Sequence, residues 1–141
     1  ITARIEELKP LVRASFVVDT LTYLYRGGRC SGLAALAGGA LKLHPRIGVE
    51  DGKMGPGKKY RGNMEKVVLS YVKDMEEAMK NARPERVFIT HSGSAPEIVD
   101  KVRAYLNDLH VFYEILETRA GGVVSSHCGP GTLGVLFIAK E

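Results

Sequence analysis

The stretch Ser126-His127-Cys128-Gly129-Pro130-Gly131-Thr132-Leu133-Gly134-Val135-Leu136-Phe137-Ile138-Ala139 decides the class of fold. Its glycines at 129, 131 and 134 spell the letters GxGxxG. A dinucleotide-binding turn of that pattern needs a strand before it, a helix after it and an acidic residue about 20 positions further on. Here the wholly apolar run from Gly134 to Ala139 follows and reads as a buried strand, and the sequence then stops. The nucleotide reading fails, and with it the doubly wound sheet that such a turn would open.

Working back from that strand, His110 to Leu116 reads as another strand, and Ser94 with Glu97 forms a capping box that opens a helix through Leu106. Arg86 to Thr90 is a strand. Asn63 to Ala82 is the clearest helix, because Met64, Val67, Val68, Tyr71, Val72, Met75 and Met79 recur at helical spacing and read as core. Arg46 to Glu50 and Lys53 to Arg61 are strands joined by an Asp51-Gly52 hairpin turn, the second interrupted by Gly55-Pro56-Gly57. Ser31 caps a helix over 32–43 whose Ala-rich face carries Leu33, Leu36, Ala37, Ala40 and Leu41, and Pro45 ends it. Gly38 and Gly39 inside it each cost about 1 kcal/mol against Ala, so something packs close to the backbone there. Ser15 to Asp19 is a short strand, and Asp19 or Thr20 caps a brief helix that stops at Gly27-Gly28. Strands and helices mix without strict alternation. The expected fold is α/β, a two-layer domain with helices packed on one face of a mixed β-sheet.

The chain has 141 residues, 45% of them hydrophobic, enough for one domain with a real core. No apolar run has the length of a membrane span and no leader pattern opens the sequence, so the expectation is a cytoplasmic protein without stable membrane insertion. The net charge of +4 is spread out, apart from Lys53, Lys58, Lys59, Arg61 and Lys66. That cluster lacks the dense stripe and stacking aromatics of a nucleic-acid binder, so no nucleic-acid partner is expected. Cys30 and Cys128 lie far apart and read as reduced thiols, and no ligand-spaced pair suggests a metal. Gly48 to Lys53 falls one residue short of a phosphate loop, with Met54 where a hydroxyl should stand. Neither a cofactor nor a catalytic residue is expected.

Three segments set polar or charged side chains among glycines: Tyr23 to Ser31, Lys58 to Gly62, and Ser126 to Thr132. Glycine lets backbone approach a ligand, and a guanidinium is a natural fork for a carboxylate or phosphate. Arg29, Arg61 and His127, with Gly28 and Gly129 beside them, therefore form a candidate anion site. Each has a blander reading: Arg29 as a surface ion-pair partner, Arg61 as the end of a solvated basic cluster, His127 as a turn residue. His91 could line the same site but is more often structural at such a turn, while His44 and His110 read as surface or edge residues. His127 with Cys128 offers an alternative, a small-molecule hydrolase or transferase, although adjacent turn residues usually point apart.

The same segments resemble the DegV family of bacterial fatty-acid-binding proteins. The resemblance runs through Phe16-Val17-Val18-Asp19, Tyr23-Leu24-Tyr25-Arg26-Gly27-Gly28-Arg29, Asp51-Gly52-Lys53, Arg61-Gly62, His91-Ser92-Gly93 and His127-Cys128-Gly129-Pro130-Gly131-Thr132-Leu133-Gly134. It implies that residues 1–141 are the C-terminal domain of such a protein, that 1–14 form an interdomain helix, and that an upstream N-terminal domain is the missing partner. It further implies a long-chain fatty acid with Arg29, Arg61 and His127 around its head group at the seam, hydroxyl groups of the upstream domain that bind the carboxylate directly, and a fatty acid kinase to which the lipid is presented. Cys128 and Cys30 depart from the residues usual in the family, which puts the side-chain contacts next to the head group in question.

Overall fold

The structure is a computed structural model that describes residues 1–29 and 43–141. The expected helix over 32–43, with Leu33, Leu36, Ala37, Ala40, Leu41 and the neighbouring Cys30, lies outside the described residues except at its last position, Leu43, which is already in a strand. A short helix α1 (Thr2–Leu8) runs through one 3-10 turn (Lys9–Leu11) into strand β1 (Val12–Val17). The helical reading of 1–14 therefore holds only to Leu11: Pro10 sits in the 3-10 turn, and Val12 is already extended. Helix α2 (Thr22–Arg26) follows, then β2 (Leu43–Glu50), β3 (Lys53–Arg61), α3 (Met64–Asp74), α4 (Glu76–Lys80), β4 (Arg86–His91), α5 (Pro96–Asp108), β5 (Glu114–Arg119), α6 (Gly122–Cys128) and β6 (Leu133–Ile138).

The six strands form one sheet in the order β3-β2-β1-β6-β4-β5. Every neighbouring pair is antiparallel except β4 and β5, so the sheet is mixed, as expected. The β2–β3 hairpin turns at Asp51 (φ 50) and Gly52 (φ 74), the left-handed pair that a tight primed turn requires. Pro45 does not end a helix. It lies inside β2, beside the register shift between Pro45 and Ile47, where a residue without an N–H disturbs the ladder least.

One face of the sheet carries the main core. Val67, Val68, Tyr71 and Val72 of α3, Met75 between the two helices and Met79 of α4 pack with Val99, Val102 and Leu106 of α5 over Val17, Val87, Ile89, Leu133, Val135 and Phe137. The methionine-containing stripe is core. Tyr71 adds a polar link: its hydroxyl donates to Ser15 O (2.8 Å) and accepts from Val135 N (3.1 Å), between the paired stretches of β1 and β6. The capping box expected at Ser94 does not form. Helix α5 starts later, with Pro96 in its first turn, and the Ser94 N–H is taken by His91 Nδ1 instead. Among the described residues no helix is long and apolar enough to cross a membrane.

The register of the strands brings distant segments to one end of the sheet. Arg61 pairs with Leu43, Val17 with Leu133, Leu133 with His91, and His91 with Arg119. The connections to α2 and α6 leave from this end, where Val18, Leu21, Leu24, Ile47 and Cys128 make a second, smaller apolar cluster.

Candidate anion site at one end of the sheet

Helix α2 stops by a glycine-dependent device. Arg29 N donates to Leu24 O (2.8 Å) and Gly28 N to Tyr25 O (3.0 Å), while Gly28 takes φ 70. These are the paired bonds of a Schellman motif with its left-handed residue at Gly28. A Cβ at Gly28 would meet nothing within 4 Å, so glycine is needed there for conformation and not for space.

Gly27 is the glycine of close approach. A Cβ added to it would collide with Cδ2 of His127 and lie 3.1 Å from its Nε2. The Gly27-Gly28-Arg29 turn and His127 are thus neighbours, and sequence reasoning, which singled out Gly28, missed Gly27. His127 lies near the end of α6 and donates from Nδ1 to Val123 O (2.8 Å), which turns Nε2 toward Gly27.

The loop after His127 is closely held. Gly129 adopts φ 83 and ψ 170, a conformation open essentially to glycine alone, and its missing Cβ makes room for the ring of Tyr23. Gly131 lies over Asp19, and Thr132 donates its hydroxyl to Cys128 O (3.1 Å). Gly129 thereby acquires a packing reason of its own.

Arg61 reaches the same end of the sheet but on the edge strand, and no described contact joins it to Arg29 or His127. The structure therefore joins two of the three segments directly. Among the described residues, neither Arg29 nor Arg61 takes part in an ion pair, and both are exposed. Next to Arg61, the carbonyl of Gly62 lies 3.0 Å from Nε2 of His44, and that of Val18 3.2 Å from its Nδ1. His44 is only 6% exposed, which corrects its reading as a surface residue: it ties β1 to the end of β3.

Cys128 is enclosed among apolar side chains. It is 5% exposed within the smaller apolar cluster, and burial pushes its thiol up. A protonated, enclosed thiol whose neighbouring imidazole is turned toward Gly27 gives the hydrolase or transferase reading no geometric support. At the other end of the sheet an apolar pocket of about 520 Å³ is lined by Leu8, Val12, Phe88, Leu136 and Ile138, with Arg4 and Arg83 among its other walls.

Comparison with known proteins gives the family and the fold. A family model described as "Uncharacterised protein, DegV family" matches residues 1–140. A DegV domain-containing protein of Deinococcus radiodurans is 33% identical over 135 residues, which is 96% of this chain and 47% of that protein. A fatty-acid-binding DegV family protein of Thermus thermophilus superposes with a TM-score of 0.82 at 28% identity, over 98% of this chain and 49% of that one. The fold is shared at 17% identity and a TM-score of 0.82 with the fatty acid kinase B3 protein of Streptococcus pneumoniae, solved with linoleic acid, over 99% of this chain and 48% of that one. The chain spans about half the length of the relatives it matches, and with a family model that covers residues 1–140 of it, it belongs to the DegV family.

Proposed function

We propose that this chain binds a long-chain fatty acid and supplies the charged half of its carboxylate site, with Arg29, Arg61 and His127 around the head group and Gly28 and Gly129 shaping the backbone beside it. The observation that supports the reading is the seating of Gly27 against the His127 ring, which brings the backbone of the Gly-Gly-Arg turn beside the imidazole from a distant part of the chain. A buried carboxylate is costly unless paired, and these donors offset that cost. Each methylene moved out of water contributes about 0.8 kcal/mol, so the tail supplies most of the affinity.

The tail has a route in this reading. Phe88, Leu136 and Ile138 alternate with the core residues Val87, Val135 and Phe137, so they face the side of the sheet away from the main core and open into the apolar pocket. At about 3.4 Å per residue, β6 is on the order of 17 Å long, comparable with most of an extended C16 tail.

Residues 1–141 act as the C-terminal domain of a longer protein in this reading, and an upstream domain closes the other side of the seam. The carrier works in the cytoplasm and presents the exposed carboxylate to a fatty acid kinase, which performs the phosphoryl transfer; this part rests on family resemblance. The test is organic extraction of the purified full-length protein followed by mass spectrometry. A stoichiometric fatty acid is expected, lost or diminished in Arg29→Ala and His127→Ala. Repeated recovery of none, together with no binding of added oleic acid, refutes the proposal.

A further inference from the structure

We propose that the His91–Ser92 turn is the positioning element of the anion site, and that the Ser92 hydroxyl fixes the loop that carries His127. The inference rests on the fatty-acid reading above. Between β5 and β6 the chain leaves the sheet at Ala120, forms α6 and returns at Thr132. Both ends of that excursion are tied to the same two residues. Ala120 N donates to His91 O (3.0 Å) where the excursion begins. Where it ends, Ser92 N donates to Thr132 O (3.0 Å) and Ser92 Oγ makes a short bond to Gly129 O.

The His91 side chain holds this turn in shape. Its Nδ1 accepts from Gly93 N (3.2 Å) and Ser94 N (3.1 Å), because a backbone N–H can only donate. Nε2 therefore carries the hydrogen and donates to Glu117 Oε1 (2.9 Å). The other oxygen of Glu117 accepts from Arg103 (3.0 Å), whose second amino group donates to Ile115 O (3.1 Å). His91 is 4% exposed and both of its nitrogens are engaged, so it has nothing left to offer a ligand. Its place is behind the site.

The Ser92 hydroxyl acts where the loop most needs a restraint. Gly129 has backbone freedom that no other residue has, and it lies two positions from His127. A glycine loop without a fixed carbonyl samples many states, and a binding group must be held to a fraction of an ångström to be effective. Loss of the Oγ bond releases the loop and lets the imidazole drift, although Ser92 touches no ligand.

The experiment compares Ser92→Ala and Ser92→Thr in the full-length protein, reading the oleic acid dissociation constant and the NMR shifts of the His127 imidazole. Ser92→Ala is expected to weaken oleic acid binding about tenfold and to move the His127 resonances while unfolding stays cooperative, and Ser92→Thr to restore both. Unchanged affinity and unmoved resonances in Ser92→Ala overturn the proposal. If the parent protein itself binds no oleic acid, the fatty-acid reading fails, and the His127 resonances still decide the positioning role. Should Ser92→Ala not fold, His91→Ala and His91→Asn replace it. Asn keeps an acceptor near the place of Nδ1, so it should bind oleic acid several-fold more tightly than Ala, and equal binding by the two overturns the proposal.

Discussion

Gly27 lies against the imidazole of His127 with no room between them for even a methyl group. The contact has the character of a gauge. Gly27 has φ −80, which any residue can adopt, so a change there acts through space and not through backbone strain. Whatever enlarges residue 27 displaces the ring of His127.

Gly27→Ala is therefore expected to leave the fold intact, to cost about 1–3 kcal/mol from overpacking, and to weaken fatty acid binding by about tenfold or more, since a 1.4 kcal/mol change is a factor of ten. Calorimetry with oleic acid, alongside thermal unfolding, measures both. Parental affinity in this variant would show that the position of His127 does not matter.

Tyr71→Phe removes the hydroxyl that links Ser15 O and Val135 N. Tyr71 is fully buried, so both backbone groups lose a partner away from water. The expected loss is about 1–3 kcal/mol of stability, read from urea denaturation midpoints at unchanged slope. A loss below about 0.5 kcal/mol, the scale of an ordinary surface change, would mean that another group takes up the two bonds.

Stability should fall in acid partly through Glu117. The hydrogen bond from His91 holds its carboxyl below the usual carboxylate range, with Arg103 adding to the effect against a smaller opposing cost of desolvation. A carboxyl lowered on folding stabilises above its unfolded value, and that contribution is lost as pH falls through the folded value. Glu117 is 43% exposed, so solvent screening keeps the contribution modest. The gap in melting temperature between the parent protein and Glu117→Gln should be widest near neutrality and close as the parent's carboxyl is protonated. A gap that stays constant through the acid range would remove Glu117 from the account.

Cys128 should be inert while the protein is folded, since it is buried and its thiol is raised. In a Cys30→Ser background, a thiol reagent at neutral pH should label Cys128 slowly, with a large acceleration in denaturant. Rapid stoichiometric labelling of the native protein would reopen the nucleophile reading.

Much of the fold was legible because it rests on short-range periodicity. The stripe from Met64 to Met79 becomes the buried face of α3 and α4, and Asp51-Gly52 becomes the hairpin turn. Helix α6 was not legible. Its sequence, Gly122-Val123-Val124-Ser125-Ser126-His127-Cys128, is poor in helix formers, and Val123 and Val124 stay exposed. Anchors outside the helix hold it, among them the bond from Ala120 N to His91 O and that from Ser125 Oγ to Ala120 O. Ser94 misled for a related reason, because its N–H found a better acceptor in the His91 ring than a helix cap would have provided.

The sequence by itself determined the hairpin, the helical core face, the closing apolar strand that rules out a dinucleotide turn, and the presence of arginine and histidine among glycines. Those features depend on φ, on side-chain period and on residue chemistry, which are local properties. Only the tertiary structure decided that Gly27 meets His127, that His44 is buried between β1 and β3, and that His91 and Ser92 tie down both ends of the α6 excursion. Such contacts join residues far apart in the chain, and they exist only once strand register has brought those residues to the same end of the sheet.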